Sequence, residues 1–161
     1  TLLSSLPKNE RVVITEDTDE LQIATPLTAK LLAREVCPDS LNRVSMGDLV
    51  KQSLRMRPDR IVVGEVRGEE AKDLLQALAT GHSGSMGTLH AHSAPQALIR
   101  LEMLIQMGAP QWSLYSIRQL IRMSLDYLVI LKEDRLNKGV KEIFQIGGLE
   151  DFGLLLEELH L

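Results

Sequence analysis

The 161-residue sequence predicts an α/β fold, with a mainly parallel sheet flanked by helices, and three observations lead there. Runs such as Val12-Val13-Ile14 and Ile61-Val62-Val63 are β-branched without polar interruption, as strands covered on both faces require. Segments with helical apolar spacing lie between such runs, and that alternation is the pattern of parallel sheets. The runs also end alike, on Glu16-Asp17, on Glu65 and on His90.

Taken in order, Leu2-Leu3 and Leu6 read as the remains of a helix stopped at Pro7 and the polar Lys8-Asn9-Glu10. Arg11 to Thr15 reads as a buried strand. Thr28 to Glu35 favours helix on propensity, although short apolar runs fit either class. Met46 to Arg57 is expected to be helical, ending before Pro58 because proline drives its predecessor out of the helical region. The turn Arg57-Pro58-Asp59 feeds the Ile61-Val62-Val63 strand, which ends on Gly64 and the lone carboxylate of Glu65.

Ala71, Leu74, Leu75 and Leu78 then fall on one helical face behind Glu69-Glu70, and Gly81 is placed to end that helix. Residues 82–87 are a Gly/Ser loop, and Thr88-Leu89-His90 is expected as a third short strand. Ser93-Ala94-Pro95 resembles a helix start, with Ser93 or Ala94 near the cap. That helix turns Leu98, Leu101, Leu104 and Ile105 inward, and Gly108 closes it. Ile117, Leu120, Ile121 and Leu125 mark a further helix, with Trp112 packing at its start. Tyr127 to Leu131 and Glu142 to Ile146 are late strands. Met103 and Met107, four residues apart, are expected to serve core or subunit packing.

The composition describes one domain with a sizeable core. A net charge of -4 and 3% aromatic residues argue against a broad nucleic-acid surface, so no direct nucleic-acid binding is expected. There is neither an apolar run of membrane-span length nor a signal-peptide pattern. Cys37 has no second cysteine to pair with, and a reducing compartment is the simpler reading. The first residue is Thr1 rather than methionine, as expected of a processed chain or one that begins inside a longer protein.

Parallel strands present their carboxyl ends on one side, where open α/β sheets bind ligands. Glu16, Asp17, Glu65 and His90 are therefore expected along one rim. Carboxylates suit Mg²⁺, which keeps waters and binds phosphate oxygens, and phosphoryl transfer needs a metal, an oriented water and donors to the γ-phosphate. In that reading Glu65 holds a metal-bound water, Glu16 orients or deprotonates the nucleophile, and His90 donates to the phosphate. Each residue alone is more often a turn, capping or surface group, by roughly three to one. Recurrence at three strand ends, with Gly64, Gly68, Gly81, Gly84 and Gly87 nearby, selects the functional reading.

These residues also carry a resemblance. Val13-Ile14-Thr15-Glu16-Asp17-Thr18 with Glu20-Leu21 resembles the Asp box of the type II/type IV secretion traffic ATPases. Leu54 to Arg60 running into Gly64-Glu65-Val66-Arg67 resembles their Walker B segment, and Thr80 to Ala91 resembles their His box. The order is the family's, and the likeness runs from Thr1 to about Leu161. Arg55-Met56-Arg57-Pro58-Asp59, His90-Ala91-His92 and Gly147-Gly148-Leu149-Glu150 point to the branch serving conjugation, type IV secretion and tight-adherence pili. The resemblance implies a RecA-like P-loop NTPase core in a cytoplasmic homo-hexamer, peripheral to the inner membrane and working with secretion or pilus platform proteins. It implies ATP and Mg²⁺, with Glu16 as general base, Glu65 as the metal-site acid and His90 as the γ-phosphate contact. Asp17 and His82 fall in the same boxes, and Arg67 would serve the site or a subunit contact.

One part of the pattern is missing. The family's Walker A loop precedes a Thr-Leu-Leu helix, and these 161 residues open at Thr1-Leu2-Leu3 without a Gly-Lys-Thr/Ser run. Thr1 would be the second of two threonines or itself the hydroxyl ligand. The chain is thus expected to be a RecA-like domain truncated at its N-terminus, 1–161, lacking both that loop and the family's N-terminal domain. Loop amides and the lysine offset phosphate charge; without them a close like-charge contact costs about 4 kcal/mol at an effective dielectric near 20, roughly a thousandfold in affinity. Weak ATP binding and negligible hydrolysis are expected of the isolated chain, as is an exposed sheet edge where the first strand is missing. Two rival readings are a catalytically inactive interaction subunit and a zinc hydrolase built on His82, His90, His92 and Glu65.

Overall fold

A computed structural model describes residues 2–23, 25–34, 43–132, 139–150 and 153–160. Thr1, Cys37 and residues 133–138 lie outside the described residues. After a 3₁₀ turn at Leu2–Ser5, a four-stranded parallel sheet is built from β1 (Val12–Glu16), β2 (Thr28–Leu32), β3 (Arg60–Val63) and β4 (Met86–Gly87), in the order β2-β1-β3-β4. Helices α1 (Met46–Leu54), α2 (Glu70–Ala79), α3 (Ala94–Gly108) and α4 (Leu114–Ser124) pack around it. A second, antiparallel sheet follows, in the order β5 (Tyr127–Leu131), β6 (Val140–Glu150), β7 (Gly153–Glu158).

The apolar runs make strands because each face of the parallel sheet has a core to fill. Ile61 and Val63 enter one core with Val50, Leu75, Ile105, Ile117 and Ile121; Val12, Ile14 and Val62 enter another with Leu6, closed by Leu3, Leu21 and Ile23. All five β1 residues are buried, which is why that strand has no polar alternation. Helix starts follow their cap chemistry. Ser45 and Asp48 form a capping box on α1, while the Ser93 and Ser113 hydroxyls accept backbone N–H bonds at the starts of α3 and α4.

Four expectations are corrected. Thr28–Leu32 is a strand, not helix, because pairing with β1 along its whole length outweighs local propensity. The third strand is Met86–Gly87; Thr88 only brackets the end of β3, accepting from Val66 N at 2.9 Å, and His90 lies beyond any ladder. Glu142–Ile146 is the middle of an eleven-residue strand, and its partner β7 was unassigned because Gly153-Leu-Leu-Leu-Glu-Glu has no β-branched residue or polar alternation to announce it. Met103 and Met107 are 64% and 65% exposed, so of their two expected roles, core or subunit packing, the core one is ruled out. The inward face of α3 is formed by Leu98, Leu101, Leu104 and Ile105. Among the described residues no helix is long and apolar enough to cross a membrane.

Candidate functional site

β1 and β3 run side by side in register, Thr15 beside Val63, so their carboxyl ends emerge together. The ladder continues one step beyond β3, where Gly64 N donates to Thr15 O at 2.8 Å. A Cβ at Gly64 would stand 3.0 Å from Glu16 Cγ and 3.4 Å from Thr15 O. Glycine is there because the Glu16 side chain crosses over it. The Thr88 hydroxyl donates to Gly64 O, tying the His90 segment to the same strand end.

Four side chains meet at this edge. Arg67 donates to Glu65 Oε2, His90 Nε2 lies 3.2 Å from Glu65 Oε1, and the other terminal nitrogen of the Arg67 guanidinium is 3.7 Å from Asp17 Oδ2. The turn carrying Arg67 is shaped by Glu70 at the start of α2, whose Oε1 accepts from Arg67 N at 2.7 Å and Gly68 N at 2.8 Å. The Arg67 hydrogen bond, helped by the charges of His90, Arg67 and Arg100, holds the Glu65 carboxyl below its ordinary 4.5 against the opposing effect of burial. The same contact raises Arg67. His90 and Arg67 are largely exposed while Glu65 is sheltered, so cationic and imidazole groups face outward over an inner carboxylate.

Glu16 stands at the adjoining strand end but its carboxylate turns away from this group. It is 3% exposed, and Oε1 accepts from the backbone N–H of Leu21 at 2.9 Å and of Glu20 at 3.2 Å. Oε2 makes no hydrogen bond among the described residues; Lys30 Nζ approaches it to 3.8 Å while hydrogen-bonding Asp19. Sequence reasoning missed Lys30, because only the β1–β2 pairing brings it to Glu16.

His82 is not brought to the edge within this chain. It sits at φ 67° in the loop entering β4, its Nδ1 3.2 Å from Ala77 O. That loop abuts the start of β3, where the Ser85 hydroxyl accepts from Ile61 N, so His82 and His90 lie at opposite ends of the sheet. The described residues contain no group of three or more His, Cys, Asp or Glu suited to a metal, and the placement of His82 breaks up the three-histidine zinc set. One sheltered carboxylate, with Asp17 nearby, does fit Mg²⁺ held through water, because that ion takes one or two protein carboxylates and relies on phosphate and water for the rest.

Parallel strands thus deliver an acid, an arginine and a histidine to one sheet edge of an α/β core, and the likeness to the solved ATPase below marks that core as RecA-like. The comparisons agree: the family model described as "Type II/IV secretion system protein" matches residues 1–134, and the chain belongs to that family. A Mycobacterium tuberculosis protein named for conjugal transfer is 47% identical over 107 residues, 66% of this chain and 30% of that one. The type IV secretion system protein PtlH of Bordetella pertussis is 39% identical over 144 residues, 87% of this chain and 42% of the other. Among solved structures, the VirB11 ATPase of the Brucella suis type IV secretion system, in complex with sulphate, superposes with a TM-score of 0.76 at 27% identity, covering 89% of this chain and 44% of that one. The chain thus spans less than half the length of these relatives.

Proposed function

We propose that this chain is the C-terminal portion of the motor domain of a secretion traffic ATPase, acting on Mg-ATP to drive protein or DNA secretion or pilus assembly. The observation that carries the proposal is the joint presence of Asp17, Arg67, Glu65 and His90 at the carboxyl ends of parallel strands. In this reading Glu65 holds a metal-bound water, His90 donates to the terminal phosphate, and Arg67 neutralises charge at the site or across a subunit contact. Glu16 serves as base once it is released from its loop. Mg²⁺, when bound, supplies the positive charge that lets carboxylates and phosphates share the site. Assembly as a homo-hexamer on inner-membrane platform proteins, at the cytoplasmic face, belongs to the same proposal.

The 161 residues hold no phosphate-binding Gly-Lys-Thr/Ser loop, so nucleotide affinity of the isolated chain is expected to be weak. Calorimetry with Mg-ATP checks this, and a micromolar constant overturns it. At millimolar Mg-ATP the amide resonances of Glu65, Arg67 and His90 are expected to move while that of His82 stays. Unmoved edge resonances remove support for the nucleotide site. A second reading, an inactive interaction subunit, is favoured by the loop-bound pose of Glu16; it predicts unmoved edge resonances together with intact binding to full-length subunits.

A further inference from the structure

Glu16 is a buried carboxylate within an acidic run, Glu16-Asp17-Thr18-Asp19-Glu20. A buried charge among like charges persists only with a counter-charge or hydrogen bonds. One carboxylate oxygen is held by two backbone amides, yet the other has no hydrogen bond among the described residues. The ammonium that faces it comes from β2. Lys30 pairs in register with Ile14, so its side chain shares the face of Ile14 and Glu16. From there Nζ reaches 3.8 Å from Glu16 Oε2 and hydrogen-bonds Asp19. Arg67 is engaged with Glu65 and Asp17 on the outer side of the edge.

One cation thus joins the candidate base to the turn that sequesters it. We propose that Lys30 is a positioning residue: it holds Glu16 in the loop-bound pose and makes release of Glu16 conditional on opening of the Asp17–Leu21 turn. Three contacts act in series. Lys30 draws Asp19 in, Asp19 brings the turn over the strand end, and the turn's amides at Glu20 and Leu21 close on Glu16 Oε1. The turn and the carboxylate therefore move together, and loss of the ammonium uncouples them. The role of Glu16 as a base rests on the function proposed above; the latch itself does not.

The test is amide hydrogen exchange on the full 161-residue chain, with and without substitution at Lys30. In Lys30→Met the amides of Glu20 and Leu21 are expected to exchange about tenfold or more faster, as for a locally opened turn, while core amides of α3 stay protected. The Glu16 side-chain carboxyl ¹³C resonance is expected to move as well. Lys30→Arg, which keeps a cation and its reach, is expected to restore both. Unchanged exchange at Leu21 in Lys30→Met, or equal effects of Met and Arg, overturns the proposal. Should Lys30→Met lose its fold, Asp19→Asn supplies the second test: it cuts the same series at its middle and is expected to speed Leu21 exchange while leaving the β1–β2 ladder protected. No change there also overturns it. Because none of these readouts uses nucleotide, failure of the ATPase reading and failure of the latch are separately visible.

Discussion

β1 and β5 are both five residues long and mostly aliphatic, yet their surroundings differ completely. Val12–Glu16 is buried at every position, whereas Tyr127–Leu131 alternates exposed and half-buried. β1 is buried along its whole length, with Val12 and Ile14 in one core, and has hydrogen-bonded neighbours on both sides, β2 and β3. β5 is the edge of an antiparallel sheet, where Leu128 turns inward while Tyr127, Val129 and Leu131 remain exposed. Similar composition therefore yields a buried central strand in one place and a surface strand in the other. The candidate site lies where the buried β1 and its neighbour β3 end. A site at the end of a fully buried strand inherits the precision of that packing.

The largest effect that would break or sharpen this comparison is in the core. Ile14→Ala, at a fully buried position of β1, is expected to cost about 2–5 kcal/mol in urea unfolding, while Val129→Ala on β5 costs less than about 1 kcal/mol. Equal losses would show that the two sheets are comparably packed. A smaller difference is expected between glycines. Gly64→Ala forces a Cβ against Glu16 and the Thr15 carbonyl and should cost about 1–3 kcal/mol. Gly148→Ala, whose new Cβ meets only Leu155 Cδ1 at 3.9 Å, should be close to neutral.

The smallest effect is electrostatic. Glu65, like Glu10 beside Arg60, has its carboxyl held below the ordinary 4.5. A carboxylate lowered on folding adds stability that is fully present above the unfolded value and is lost as pH falls through the folded one. Stability is therefore expected to decline on acidification from about 4.5 downward, and Glu65→Gln should flatten its share of that slope. Both ion pairs are only partly shielded from solvent, so the change is small and shrinks further with added salt. An unchanged acid slope in Glu65→Gln would mean that the Arg67 and His90 contacts do not persist in solution.

The legible parts of the fold were those where one local cause acts alone. Unbroken β-branched runs announced β1 and β3, serine caps and apolar spacing announced α3 and α4, and glycines marked the turns. Thr28–Leu32 was illegible because its residues favour helix in isolation and become strand only beside β1. β7 was illegible because nothing in a Leu-Leu-Leu-Glu-Glu run distinguishes strand from helix before β6 is in place. The site divided along the same line. Glu16, Asp17 and Glu65 stand where parallel strands end, as the sequence led one to expect, and His90 reaches the same edge from beyond β4; but Glu16 turns into its loop, and His82, close to His90 along the chain, is at the far end of the sheet.

By itself the sequence determined the covered central strands, the helix starts and the residue types gathered at one sheet edge, because strand burial and capping are set by near neighbours along the chain. Only the tertiary structure decided that Glu16 turns into its loop, that Lys30 stands across from it, and that Arg67 bridges two acids. Those contacts join β1 to β2 and to the turn after β3, and a side chain's partner across strands depends on register, which no local stretch of residues encodes.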